Sequence, residues 1–128
     1  MERFLIVCGA GALGCGARYL VGVWAGERFG TGFPYGTLFV NLIGSFLIAL
    51  VMELSIRLAN FPPNLRLALV TGFMGGLTTY SSFNYESTAL LSDGQVVRGF
   101  LNIGITLISC LVMGALGILV ARRFGAGG

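Results

Sequence analysis

Between Met74 and Phe83 the sequence reads MGGLTTYSSF. Two glycines precede four hydroxyl side chains, Thr78, Thr79, Ser81 and Ser82, and two aromatic rings, Tyr80 and Phe83. Each glycine weakens a helix by roughly 1 kcal/mol relative to alanine. The hydroxyls compete with the helix ladder by bonding to nearby backbone. Together they predict a local break from Gly75 to Thr78 within an otherwise apolar run. Carbonyls freed at such a break suit a small cation, whereas freed amides and hydroxyls suit an anion. Tyr80 and Phe83 are three residues apart, so a helix resuming after the break puts both on one face. An aromatic ring has a negative face and a positive edge. Two rings offered edge-on attract a small anion without the full charge that would trap it. A glycine-permitted kink with back-bonded hydroxyls is the plainer alternative.

These residues need elements that hold them at depth. The chain has 128 residues, 55% of them hydrophobic and only 10% charged. A soluble domain carries about 25% charged residues, so the composition points to a bilayer. Four segments are apolar enough and close to the ~20 residues a span requires: within 4–24, 29–52, 67–91 and 99–121. The breaks between them are GERFGTGFPYG, NFPPN and SDGQ, rich in glycine, proline and polar residues. The expected architecture is therefore one all-α integral membrane domain over residues 1–128, with four transmembrane helices and the third broken at mid-membrane depth. Arginines offer a test of orientation. Arg3, Arg57, Arg66, Arg122 and Arg123 fall on the side of the termini, Arg28 and Arg98 on the other. That excess places both termini in the cytoplasm but is modest enough to permit insertion in both directions.

Each expected helix carries a small or polar stripe at helical spacing. Gly11, Gly14, Cys15, Arg18, Gly22 and Gly26 form the first; Thr37, Asn41, Gly44 and Ser45 the second; Asn102, Thr106, Ser109, Cys110, Met113 and Gly117 the last. Close helix packing accounts for any single stripe, because small residues let membrane helices approach. All of them together exceed what four helices of one small chain can shield from lipid. An oligomer, a water-filled path, or both follow. Cys8, Cys15 and Cys110 lack CxxC spacing, and there is no histidine, which argues against zinc. Scattered arginines make no nucleic-acid face. Without a histidine, a paired carboxylate or a nucleophile beside a base, enzymatic chemistry is excluded.

NLIGSF on the second span, GFMGGLTTYSSF followed by Glu86 on the third, and Arg18 in ARYL on the first together resemble the Fluc (CrcB) family of fluoride channels. The resemblance runs along essentially the whole chain. It implies a dual-topology dimer of two antiparallel copies, or of this chain and an oppositely inserted paralogue, with two pores in the cell inner (plasma) membrane. It implies a fluoride pathway past Asn41, Tyr80 and Phe83, with a polar track through Ser81, Ser82, Thr106 and Cys110. It also implies a structural sodium ion on the dimer axis, held by the backbone carbonyls of Gly75 and Thr78. Two positions depart from the family pattern: Tyr80 stands for a phenylalanine and Cys110 for a serine. A bare arginine would hold fluoride too firmly, so Arg18 is expected at the pore mouth or in a structural pair. Glu86 would repel an anion if ionised, and its expected place is off the main path or hydrogen-bonded to hydroxyls.

The rival reading is a small proton-coupled multidrug-type exporter, which also has four short spans. Such exporters resemble one another in a first-helix glutamate, and no acid lies between Arg3 and Glu27 here. A non-transporting assembly subunit is the other alternative, and it predicts no ion flux.

Overall fold

The computed structural model describes residues 1–125, in which every regular element is a helix. The last three residues of the expected domain lie outside the described ones. Three helices are long and apolar enough to cross a membrane: α1 (Glu2–Phe29), α2 (Tyr35–Arg57) and α5 (Val96–Gly125). Between α2 and α5 the chain forms two shorter helices, α3 (residues 63–77) and α4 (Tyr80–Ser92). Prolines at 62 and 63 start α3, with Pro63 in its first turn, where a missing N–H costs nothing. An α-turn at Pro63–Arg66 leads into a wide π-helical stretch, Leu67–Met74, and a last α-turn at Gly75–Leu77. Gly30 (φ 78°) ends α1 and Gly94 (φ 77°) turns the chain between α4 and α5. Both positions need the left-handed backbone that glycine adopts without strain.

The helices pair as α1 against α3 and α2 against α5. Glycines set how closely they pair. A Cβ on Gly76 would strike the Gly11 carbonyl and stand 2.9 Å from the Cys15 nitrogen. One on Gly72 would lie 2.6 Å from the Ala10 Cβ, and one on Gly14 would run into the Phe73 carbonyl. The first stripe is thus a packing surface at Gly11 and Gly14, with Gly72 and Gly76 as its counterpart. Lipid tails are as apolar as leucine, so membrane helices associate through this kind of close van der Waals contact. Val40, Met74 and Leu77 form the centre of the core, with Ala17, Val21, Leu47 and Phe73 packed around them.

One expectation is corrected here. Gly75 and Gly76 do not unwind the chain; both stay helical. The interruption falls just after them, at Thr78 (ψ 155°) and Thr79 (φ −152°, ψ 116°). Gly76 is present to admit α1, not to loosen α3, and β-branched threonines are at home in extended backbone. Gly76→Ala is accordingly expected to lower stability by about 1–3 kcal/mol through overpacking. Gly16→Ala, where nothing lies within 4 Å of the new methyl, is expected to leave stability level or raise it. Thermal melting of the two variants in detergent checks this, and equal behaviour would refute the packing role of Gly76.

Candidate functional site

The Thr78–Thr79 interruption is built from side chains that replace the missing helix bonds. The Asn41 amide on α2 clasps the Thr79 peptide from both sides. Its Oδ1 accepts from the Thr79 N–H at 2.9 Å, and its Nδ2 donates to the Thr79 carbonyl at 3.1 Å. Thr79 in turn caps α4: its Oγ1 accepts from the Ser82 N–H at 3.2 Å and lies 3.1 Å from the Ser82 hydroxyl. Threonine is a favoured residue at that cap position. Thr78 bonds backward, its Oγ1 donating to the Met74 carbonyl at 2.9 Å.

These substitutions have an electrostatic result. In a continuous helix the Thr79 N–H would serve the Gly75 carbonyl, and the Ser82 N–H would serve the Thr78 carbonyl. Here the first goes to Asn41 and the second to Thr79 Oγ1. The carbonyls of Gly75 and Thr78 therefore lose their helical donors, while Gly76 and Leu77 keep helical geometry around them.

Six of the expected residues line one open groove of about 390 Å³: Asn41, Thr78, Tyr80, Phe83, Thr106 and Cys110. Phe83 is 7% exposed and Tyr80 is 76% exposed. Their rings meet edge to face, with centroids 5.8 Å apart and planes at 63°. Gly44 gives Thr78 its place, since a Cβ there would collide with the threonine methyl. One N–H of the Asn41 amide is committed to Thr79, which leaves its second N–H. The Tyr80 and Ser45 hydroxyls and the Cys110 thiol are further donors in the groove.

Behind Phe83 runs a buried relay whose Ser87 and Asn102 are absent from the expected path. Ser87 Oγ donates to the Phe83 carbonyl at 2.8 Å, Asn102 Nδ2 donates to Ser87 Oγ at 2.9 Å, and Thr106 Oγ1 donates to Asn102 Oδ1 at 3.4 Å. Asn102 is 1% exposed. The relay ties α4 to α5 and holds the Phe83 turn against Thr106. Its signal in the sequence was the four-residue spacing of Phe83 to Ser87 and of Asn102 to Thr106.

The remaining expected residues lie elsewhere. Ser82 and Arg18 share a second crevice of about 350 Å³ with Thr37, Thr79 and Cys15. Arg18 Nη2 sits 3.8 Å from Cys15 Sγ, and the ion pairs among the described residues involve only Glu53, Arg57 and Arg122. Ser81 lines neither hollow; its hydroxyl is 3.2 Å from Thr79 Oγ1 and it is exposed. Glu86 faces a third hollow of about 460 Å³ at the α1–α2 turn, shared with Thr37, Tyr85 and Arg98. Its Oε1 accepts from Thr37 Oγ1 at 2.7 Å, and its Oε2 is buried with no partner among the described residues. Thr37, Gly22 and Gly36 line both the Arg18 crevice and the Glu86 hollow. Gly36 packs on Gly22, where a Cβ would meet the Gly22 Cα at 2.9 Å.

Comparison with known proteins agrees with the sequence motifs. Residues 5–118 match the family model described as CrcB-like protein, Camphor Resistance (CrcB). A protein of Geobacter sp. (strain M21) named Fluoride-specific ion channel FluC is 50% identical over 122 residues, covering 95% of this chain and 98% of that one. A protein of the same name from Sorangium cellulosum (strain So ce56) is 50% identical over 127 residues, covering 99% of this chain and 100% of its own. The one from Citrifermentans bemidjiense is 48% identical over 122 residues. A match running through the α1 glycines, the clasped interruption and most of α5 leaves one assignment: this chain belongs to the CrcB-like family.

Proposed function

We propose that the chain is a fluoride-selective channel that lets cytoplasmic fluoride leave by passive flux. The observation that carries this reading is the Tyr80–Phe83 edge pair in a groove with the Asn41 clasp, in a chain whose relatives are named fluoride-specific channels. Fluoride is small and strongly hydrated, and a site that passes it must replace that water without holding the ion. An amide N–H, a thiol, a phenolic hydroxyl and ring edges offer only partial charges. Arg18 lines a different crevice from the rings.

The residues 63–92 form the remaining span in this reading, interrupted at mid-membrane depth. Two copies, or this chain and a paralogue, pack antiparallel in the cell inner membrane and make two pores. Support comes from the faces one chain leaves open. Tyr80 is mostly exposed, and Gly75 has nothing within 4 Å of where a Cβ would be. The small excess of arginine on one side counts against free insertion in both directions and favours the oppositely inserted paralogue as partner. A structural sodium ion on the dimer axis fits the donor set, because hard cations take oxygen ligands. The Gly75 and Thr78 carbonyls have lost their helical donors and would repel a facing pair without a cation between them. When bound, sodium supplies charge that holds the two interruptions together; the protein's part is to present the four carbonyls.

A fluoride electrode reads the outcome directly. Proteoliposomes loaded with potassium fluoride and opened with valinomycin are expected to release fluoride, while chloride stays inside. Release no faster than from protein-free vesicles would overturn the channel reading. A requirement for a proton gradient would favour the exporter.

A further inference from the structure

At the end of the molecule bearing the chain's N-terminus, three helices leave a crevice of about 360 Å³. Arg3 of α1 and Arg66 of α3 line it, together with Met52 of α2 and Pro63, Leu67, Val70 and Thr71 of α3. Five arginines gather at this end, and they are not equivalent. Arg57 and Arg122 both reach Glu53, at 2.9 and 3.2 Å, and so have a counterion. Arg3 and Arg66 have no ion pair among the described residues. The other acid near this end, Glu2, stands 3.5 Å from the Asn64 amide. Two arginines without an ion pair among the described residues thus line one hollow together with apolar side chains, in a chain suited to a bilayer.

We infer that this crevice binds the phosphate headgroup of an anionic phospholipid, with Arg3 and Arg66 on the phosphate and the Met52–Leu67–Val70 wall along the first acyl carbons. Guanidinium forks match phosphate oxygens in pairs. Basic hollows between membrane helices on the cytoplasmic side are suited to anionic headgroups. The apolar wall is what selects a lipid over a free phosphate ion, which would gain nothing from it. The crevice shares no residue with the Tyr80–Phe83 groove, so lipid binding there does not depend on the fluoride reading.

Native mass spectrometry of the full chain in detergent, titrated with phosphatidylglycerol or phosphatidylcholine, tests it. Two arginines near an anionic group set the expected preference at about thirtyfold for phosphatidylglycerol. The double variant Arg3→Gln, Arg66→Gln is expected to bring the two lipids close to parity, while Arg123→Gln keeps the preference. Parity in the unaltered chain, or an undiminished preference in the double variant, overturns the site. Inorganic phosphate competing as well as the lipid would also overturn it, since the site would then be one for free anions. A second measurement does not depend on removing arginines. In a chain with Trp24→Phe and Leu67→Trp, dibrominated phosphatidylglycerol is expected to quench the indole several-fold more than dibrominated phosphatidylcholine. Equal quenching sinks the proposal.

Discussion

Asn41→Ala is expected to abolish fluoride release and to lower stability by about 1–3 kcal/mol. Thr79 is buried, and its N–H bonds to the Asn41 amide, whereas its carbonyl, at the cap position, also takes the first helix bond of α4. A buried donor or acceptor left without a partner costs about 1–3 kcal/mol, and more where no water reaches it. Alanine strands the Thr79 N–H. The interruption must then either let water in or collapse into helix, and collapse would return the Thr79 N–H to the Gly75 carbonyl. Asn41→Asp is a sharper test. It keeps the acceptor for the Thr79 N–H but sets a carboxylate oxygen against the Thr79 carbonyl, where the native distance is 3.1 Å. Thermal melting, fluoride release and amide exchange at Thr79 should all change in both variants. A melting temperature and a Thr79 exchange rate like those of the unaltered chain would show that the clasp does not hold the interruption.

Phe83→Ile is expected to slow fluoride release on the order of tenfold while the fold persists. The ring lies at the back of the groove with its neighbour Tyr80 at a T-shaped angle. Isoleucine keeps much of the buried volume but has no positive edge. Edge contacts of aromatic rings are worth about 0.5–1.5 kcal/mol, and each 1.36 kcal/mol is tenfold in rate. The relay behind it uses the Phe83 carbonyl, not its side chain, so Ser87, Asn102 and Thr106 are expected to stay in place. Stability should fall by less than the 3–5 kcal/mol typical of Phe→Ala. Tyr80→Phe keeps both ring edges and is expected to retain most of the flux. Undiminished release from Phe83→Ile would put the ring outside the ion's path, and loss of the folded protein would assign it to the core.

These two variants separate roles that the amino-acid pattern presents as one. Asn41 reads in the chain as a polar residue on a helix stripe, open to solute. In the folded chain its first duty is to the Thr79 peptide, 38 residues away in the sequence and on a different helix. The polar track divides in the same way. Thr106 and Cys110 share the groove with the rings, Ser82 faces Arg18, and Ser81 stands outside both. Spacing along a helix shows which residues share a face, but not which neighbour that face meets.

Much was determined by the sequence alone. Low charge and long apolar runs require helices that satisfy their own backbone in lipid, and proline, glycine and polar clusters mark where they end. The MGGLTTYSSF run contains its own interruption, because adjacent threonines favour extended backbone and the second can cap the helix that follows. Tertiary structure decided the rest. It kept Gly75 and Gly76 helical, since α1 approaches Gly76 too closely for any side chain. It carried the opening onto Thr78 and Thr79, where Asn41 from another helix could replace the lost bonds. Local propensity differs by only about 1 kcal/mol per residue, whereas a stranded peptide group in lipid costs several. Where the break falls is therefore governed by the partner that can satisfy it, and that partner comes from a distant part of the chain.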